Sequence, residues 1–146
     1  MDHAMLIRVM EEHIPFNKFL GLRVTSVKKG VVRIEIPFRP ELVGDPMRPA
    51  LHGGVISMLA DTCGGMAVWS DLEGASTRVS TIDLRIDYLR PGKLETLAAE
   101  GHVVRVGKRV GVVDIRLFHP SAERETIATG KGVYNVMITR DKASLS

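Results

Sequence analysis

Two glycines and an aspartate form the most chemically suggestive pattern in the sequence. Gly53 and Gly54 follow His52 and open a stretch without proline, and Asp61 lies seven residues beyond the second glycine. If this stretch is a helix, the glycines leave its first backbone N–H groups uncovered, at the positive end of the helix dipole. Such a terminus suits a developing oxyanion, although the same glycines would also serve close helix packing.

Asp61 is the only acidic residue between His52 and Ser70, in a segment that is apolar on nearly every face. A helix of that composition should be buried, and a buried carboxylate is costly unless it is partnered. The residue is therefore either a structural acid paired with a donor or a catalytic group. The helix would be about 28 Å long, with about 10 Å between Gly54 and Asp61. One chain cannot bring both to a single carbonyl, whereas two antiparallel helices across a two-fold axis can.

The flanking sequence supplies the elements that would position this helix. Within a lead-in segment over 1–15, apolar residues at helical spacing predict a helix over 4–14 that ends near Pro15. Residues 22–36 alternate around a turn at 28–30 and predict an antiparallel hairpin, and the proline-rich residues 37–51 predict an irregular loop. Further strands are predicted over 77–89, 94–106, 109–118 and 126–138, followed by a polar tail over 139–146.

One buried helix with five or six long antiparallel strands is an α+β plan in which a curved sheet wraps around the helix. A chain of 146 residues has room for one such domain, covering 1–146. In the strand over 77–89, alternation predicts Ile82 and Leu84 on one face and Thr81 and Asp83 on the other. Open sheet edges predict pairing between two copies of the chain.

Composition argues against several classes of function. The chain is 45% hydrophobic and 25% charged, which is too apolar for disorder and too often interrupted by charge for a membrane span. A net charge of +3 without a long basic run argues against a nucleic-acid partner. The single cysteine and the absence of an export signal predict a cytoplasmic protein. His102 and His119 lack the spacing of metal ligands, so we expect no metal.

Four strings carry a family resemblance: Leu51-His52-Gly53-Gly54, Leu59-Ala60-Asp61, Ser80-Thr81-Ile82-Asp83-Leu84 and Tyr88-Leu89-Arg90-Pro91. They are similar to motifs of the hotdog-fold acyl-CoA thioesterases of the phenylacetic-acid-degradation (PaaI-like) family, and the resemblance covers about residues 16–138. It implies a hotdog fold and hydrolysis of an aromatic or short- to medium-chain acyl-CoA. It also implies a homodimer, or a homotetramer of two dimers, with the amide donor and the acid from different subunits. No cofactor is expected beyond the coenzyme A of the substrate.

The resemblance assigns roles to the motif residues. The Gly53 and Gly54 amides would hold the oxyanion, and Asp61 would act as general base or as nucleophile. His52 would either orient the thioester or only cap the helix. Thr81 would either assist the acid or serve only as a good strand former.

Other positions have weaker signals. Asp45 stands where the family often has an asparagine, so it either replaces the amide's hydrogen bonds or repels Asp61. Four basic turn residues are candidates for the phosphates of coenzyme A, or serve only solubility: Arg90, Lys93, Lys108 and Arg109. Four apolar residues could line an acyl pocket, or belong to the core: Met58, Met66, Val68 and Trp69. Cys63 is expected to be a small buried residue rather than a nucleophile.

Two other functions fit the same sequence. A non-catalytic hotdog protein would bind acyl-CoA in order to sense or sequester it, and would show binding without turnover. A hotdog dehydratase would pair a histidine and an acid in a different arrangement, so the His-Gly-Gly string with Asp61 favours hydrolysis.

Overall fold

The computed structural model describes residues 2–73 and 77–138. Its α-helices are α1 (His3–Arg8), α2 (Pro15–Leu20) and α3 (Gly53–Asp71). Its strands are β1 (Arg23–Lys28), β2 (Val31–Ile36), β3 (Val43–Asp45), β4 (Ala50–Leu51), β5 (Thr77–Tyr88), β6 (Leu97–Val106), β7 (Val110–Phe118) and β8 (Thr126–Ile138). The polar tail expected over 139–146 lies outside the described residues.

The N-terminal segment differs from the single helix that the sequence predicts. α1 continues into a π-helical turn, Val9–His13, and Pro15 then begins α2 instead of ending the helical segment. Proline is favoured at the first position of a helix, where its missing N–H costs no hydrogen bond. The buried side chain of Asn17 links α2 to the π-helical turn, because its Nδ2 donates to the Met10 carbonyl over 3.0 Å.

The predicted hairpin and long strands are confirmed as one antiparallel sheet. The six long strands lie in the order β1-β2-β6-β7-β8-β5. Gly30 turns the chain between β1 and β2 with φ of 75°, a conformation that glycine adopts without strain. The loop over 37–51, predicted to be irregular, also contains a small two-stranded sheet of β3 and β4.

Helix α3 lies across this sheet and contacts β2, β5, β6, β7 and β8. The side facing the sheet is fully buried and includes Leu59, Cys63 and Ala67, so the predicted plan of a sheet around one helix is confirmed. The helix is not buried on every face, however. A stripe along its other side is half-buried or exposed, comprising Gly54, Met58, Asp61, Thr62, Gly65 and Trp69. We refer to these six residues as the open stripe.

Strand β5 forms one edge of the sheet and contains a bulge. Thr81 pairs with Tyr134 and Asp83 pairs with Val133, which leaves Ile82 without a partner on β8. A bulge reverses side-chain alternation, so Thr81 shares the helix-facing side with Leu84, while Ile82 is 57% exposed. The prediction that Ile82 lies on the face of Leu84, opposite Thr81, is therefore wrong.

Candidate active site

Asp61 extends from the open stripe of α3 toward β5. The Thr81 hydroxyl donates to Asp61 Oδ1 over 2.7 Å, and the bulge at Ile82 is what turns Thr81 toward the helix. On the neighbouring strand, the Tyr134 hydroxyl donates to the main-chain carbonyl of Asp61 over 2.9 Å. Of these two contacting residues, Thr81 is predicted from the sequence and Tyr134 is not. The spacing Gly132-x-Tyr134 was the available signal, since a glycine on the same strand face makes room for a large ring.

An apolar cleft of about 210 Å³ opens beside Asp61. Two of its walls come from the open side of α3 and from the N-terminal segment, and its lining includes Met10, Ile14, Asn17, Met66, Trp69 and Val79. Met66 and Trp69 were candidates for an acyl pocket, whereas Val68 is fully buried in the core beside Gly111. The wall formed by residues 10–17 was not predicted, because nothing local in the sequence connects it to residue 61.

The N-terminus of α3 is capped by His52. The Gly54 N–H donates to His52 Nδ1 over 2.8 Å, so that amide is already occupied, which corrects the expectation of two free glycine donors. The Gly53 N–H has no acceptor within the described residues. Because Nδ1 accepts a hydrogen bond, the neutral His52 ring carries its proton on Nε2. His52 therefore caps the helix and retains one N–H donor.

Gly53 and Asp61 are not brought together within one chain. They lie eight residues apart on the same helix, which corresponds to about 12 Å. Gly53 and Asp61 contact different residues of β5. The Tyr88 hydroxyl donates to the Gly53 carbonyl over 3.3 Å, while the Thr81 hydroxyl donates to Asp61. A group that touches the amide of Gly53 cannot also touch the Asp61 carboxylate of the same chain.

Asp45 is held by its own turn. Its Oδ1 accepts from the backbone N–H groups of Met47 and Arg48, over 2.9 and 3.1 Å. These contacts match neither alternative, replacement of an asparagine's hydrogen bonds or repulsion of Asp61. The carboxylate instead stabilises the 45–48 turn. The preceding Gly44 packs on the His52 backbone, and a Cβ there would overlap the His52 Cα. The loop therefore packs against the backbone of the residue that caps α3.

Arg90 and Lys93 lie near the Tyr88 end of β5, around a cleft of about 270 Å³. Arg90 Nη1 forms an ion pair with Glu125 Oε1 at 2.6 Å. The Lys93 backbone N–H donates to Nε2 of the buried His119 over 2.8 Å, which fixes this turn.

Lys108 and Arg109 lie near the opposite end of the sheet. Together with Arg105 they line a shallow cleft of about 510 Å³. The Arg109 carbonyl accepts a hydrogen bond from the Val136 N–H near the end of β8. The Leu89 N–H, next to Arg90, donates to the Ile127 carbonyl near the beginning of β8. The four basic candidates thus form two separate pairs in one chain.

Cys63 lies on the buried side of α3, where burial raises the pKa of its thiol. Its Sγ is 3.5 Å from the Val32 carbonyl, and this protonated, enclosed thiol is unsuited to nucleophilic chemistry. Among the residues that the structure describes, no three histidine, cysteine or acidic side chains are grouped as a metal site. No helix in that part of the chain is long and apolar enough to cross a bilayer.

Comparison with known proteins decides the family. The model of the thioesterase superfamily matches residues 49–125, just over half of the chain, including Gly53, Asp61 and Thr81. The chain belongs to the thioesterase superfamily. Its enzyme class is therefore thioester hydrolase, and the resemblance found in the sequence is confirmed.

Relatives of this thioesterase-superfamily chain match it over most of their length. The medium/long-chain acyl-CoA thioesterase YigI of Escherichia coli K12 is 34% identical over 136 residues, covering 85% of this chain and 86% of that protein. A Shewanella oneidensis structure related to the thioesterase superfamily has a TM-score of 0.81 at 31% identity, covering 93% and 94%. The E. coli PaaI protein, from the phenylacetic acid degradation operon, has a TM-score of 0.76 at 27% identity, covering 92% and 89%.

Proposed function

We propose that this chain hydrolyses acyl-CoA thioesters with an aromatic or short- to medium-chain acyl group, in a site shared between two subunits. The observation that carries the proposal is the Asp61–Thr81 pair beside an apolar cleft. A carboxylate held in this way can activate water against a carbonyl whose acyl group occupies the cleft. The similarity to YigI, an acyl-CoA thioesterase, supports coenzyme A as the thiol component.

In the proposed reaction, water hydrolyses the thioester, so that the C–S bond is broken and a carboxylic acid and the coenzyme A thiol are released. As a general base, Asp61 takes a proton from the water and returns it to the departing thiolate. As a nucleophile, the Asp61 carboxylate attacks the thioester carbonyl, the C–S bond breaks, and coenzyme A leaves as a thiolate. Water then hydrolyses the resulting anhydride, and the proton released goes to the thiolate. Both routes regenerate the carboxylate, and neither requires a cofactor beyond the substrate.

The Gly53 amide is the proposed oxyanion donor. It has no acceptor among the described residues, and it lies at the positive end of the α3 dipole. The carbonyl oxygen gains negative charge as water adds, so this donor would bind the transition state more strongly than the substrate. His52 caps the same helix turn, and its Nε2–H is a second donor beside the Gly53 amide.

A homodimer would unite the amide with the acid. Pairing of two β5 edges around a two-fold axis would set the two α3 helices antiparallel, so that Gly53 of one subunit approaches Asp61 of the other. The exposed apolar side chains of Ile82 and Tyr88 on β5, 57% and 53% accessible, support this edge as the contact. A tetramer of two such dimers is the larger assembly that the family resemblance implies.

The same two-fold arrangement would gather the basic residues. Because paired β5 strands run in opposite directions, Arg90 and Lys93 of one subunit would lie near Lys108 and Arg109 of the other. Coenzyme A carries a diphosphate and a 3′-phosphate, and charge-assisted hydrogen bonds from such a cluster would hold them.

The size of the cleft supports a compact acyl group. A cavity of about 150 Å³ holds a benzene ring in an engineered protein core, so 210 Å³ suits a phenyl or medium-chain group. Met10 and Ile14 of the N-terminal segment contribute to the wall that would contain it.

The test is thiol release from a panel of acetyl-, hexanoyl-, decanoyl-, palmitoyl- and phenylacetyl-CoA. We expect hydrolysis of hexanoyl-, decanoyl- or phenylacetyl-CoA, and a loss of about 100-fold or more in Asp61→Asn. Asp71→Asn, at the other end of the same helix, is the matched control and should keep full activity. Equal rates in wild type and Asp61→Asn would contradict the proposal, as would binding of acyl-CoA without turnover.

A further inference from the structure

Tyr134 is a buried titratable residue that the proposed reaction does not use. It is 1% exposed on β8, and its hydroxyl donates to the main-chain carbonyl of Asp61. In an α-helix this carbonyl already accepts from the N–H four residues later, which belongs to Gly65. A carbonyl has two lone pairs, so the phenol can use the second one. Tyr134 therefore links the sheet directly to the helix backbone at Asp61.

Glycines create the space that this contact requires. A Cβ at Gly64 would overlap the Tyr134 hydroxyl, and one at Gly132 would overlap its ring. At Gly65 a Cβ would lie 3.5 Å from the ring, in ordinary contact. The aromatic ring thus lies in a slot between the α3 backbone and its own strand, where close packing leaves it little freedom.

Thr81 and Tyr134 contact Asp61 at two different points. They are directly paired across β5 and β8, and both face α3. Thr81 binds the carboxylate, while Tyr134 binds the carbonyl of the same residue. Together they restrict both the side chain and the backbone of Asp61.

We propose that Tyr134 is a positioning residue for thioester hydrolysis, which fixes the Asp61 backbone so that its carboxylate meets Thr81 and the substrate. This inference rests on the proposed function of Asp61. Burial, and next the nearby charge of Asp61, raise the pKa of Tyr134. The phenol consequently remains protonated and acts as a donor, not as a base.

The first test is Tyr134→Phe, which keeps the ring and removes the hydroxyl. Tyr134 also lines the cleft, but Tyr134→Phe keeps the ring and removes only the hydroxyl that is bonded to the helix backbone. We therefore expect kcat to fall about tenfold with KM within about twofold. Ser70→Ala is the matched control, since the buried Ser70 hydroxyl also donates to an α3 carbonyl, that of Ala67, over 2.7 Å. It should lower Tm and leave kcat unchanged. Full kcat in Tyr134→Phe, or an equal loss in Ser70→Ala, would overturn the inference.

A double-mutant cycle separates positioning from general destabilisation. Thr81→Val frees the Asp61 carboxylate, so the contact of Tyr134 with the Asp61 backbone can no longer align it. Adding Tyr134→Phe to Thr81→Val should therefore lower kcat by a smaller factor than Tyr134→Phe does alone. A combined loss equal to the product of the two single losses would count against positioning.

A spectroscopic measurement covers the case in which Tyr134→Phe does not fold. The chain has two tyrosines, so 3-fluorotyrosine incorporated into Tyr88→Phe reports on Tyr134 alone. Asp61→Asn keeps the carbonyl that Tyr134 contacts but removes the nearby negative charge, so the ¹⁹F resonance should shift when this substitution is added. An unchanged resonance would contradict the placement of the phenol beside the Asp61 carboxylate. If Asp61→Asn retains wild-type activity, the proposed function fails. If Asp61→Asn is inactive while Tyr134→Phe keeps full kcat, only the role of Tyr134 fails.

Discussion

At the scale of single residues, the hydrogen bond from Thr81 to Asp61 is the contact most directly tied to the proposed chemistry. A hydrogen bond to a charged group contributes about 1.5–3 kcal/mol, so its loss should lower kcat of Thr81→Val by about tenfold or more. Thr25→Val is the matched control, because the Thr25 hydroxyl on β1 donates to the Arg33 carbonyl, away from Asp61. Steady-state thiol release measures both variants. Equal kcat values in the two would mean that Thr81 is only a strand former.

His52 allows its capping and catalytic roles to be separated. Asparagine is among the best helix caps but lacks the Nε2–H donor, whereas alanine lacks both functions. We expect His52→Asn to keep the wild-type free energy of unfolding, and His52→Ala to lose about 1 kcal/mol. Denaturant unfolding measures this difference. If His52 serves only as a cap, His52→Asn keeps its hydrolysis rate, and a reduced rate assigns a catalytic role to Nε2–H.

At the scale of elements, periodicity predicted most of the fold but not the details that complete the site. The α3 helix, the β1–β2 hairpin and the long strands follow from local patterns of apolar residues. The bulge at Ile82 does not, because it arises from pairing with β8, and simple alternation places Thr81 on the wrong face. Pro15 was interpreted as a helix end, although the same residue type also begins helices.

The N-terminal segment gives a second element-scale prediction. Met10 contributes to the wall of the cleft beside Asp61, so Met10→Ala should enlarge the cleft and move the preferred acyl chain toward longer groups. The measurement is kcat/KM across the acyl-CoA panel. Met5→Ala, at a half-exposed position of α1 outside the cleft lining, should leave the profile unchanged. An unaltered profile in Met10→Ala would place the acyl group elsewhere.

At the scale of the whole molecule, the separation of Gly53 from Asp61 requires a partner for the proposed reaction. The spacing of these residues was evident from the sequence, because both lie on one helix of standard rise. The surface that would supply the partner was predicted only as an open sheet edge. Strands β1 and β5 form the two edges of the sheet. The proposed dimer uses β5, on which Ile82 and Tyr88 are exposed and beside which the open stripe of α3 lies.

The shared site can be tested by mixing two inactive variants. Gly53→Pro removes the candidate amide donor at the first helical position, where proline is tolerated, and the extended backbone of His52 suits a following proline. Gly53→Ala is its control, because it keeps the N–H and places a Cβ in ordinary contact with Tyr88, at 3.5 Å. Gly53→Pro should be inactive, as should Asp61→Asn, while Gly53→Ala should retain activity.

The decisive measurement is thiol release after Gly53→Pro and Asp61→Asn are unfolded together and refolded as an equal mixture. If each site takes its amide from one subunit and its acid from the other, every mixed dimer has one intact site. The mixture should then recover about a quarter of wild-type activity, because half of the dimers are mixed and each has one of two sites. No recovery, with mixed dimers demonstrated by native mass spectrometry, would contradict a site shared between subunits.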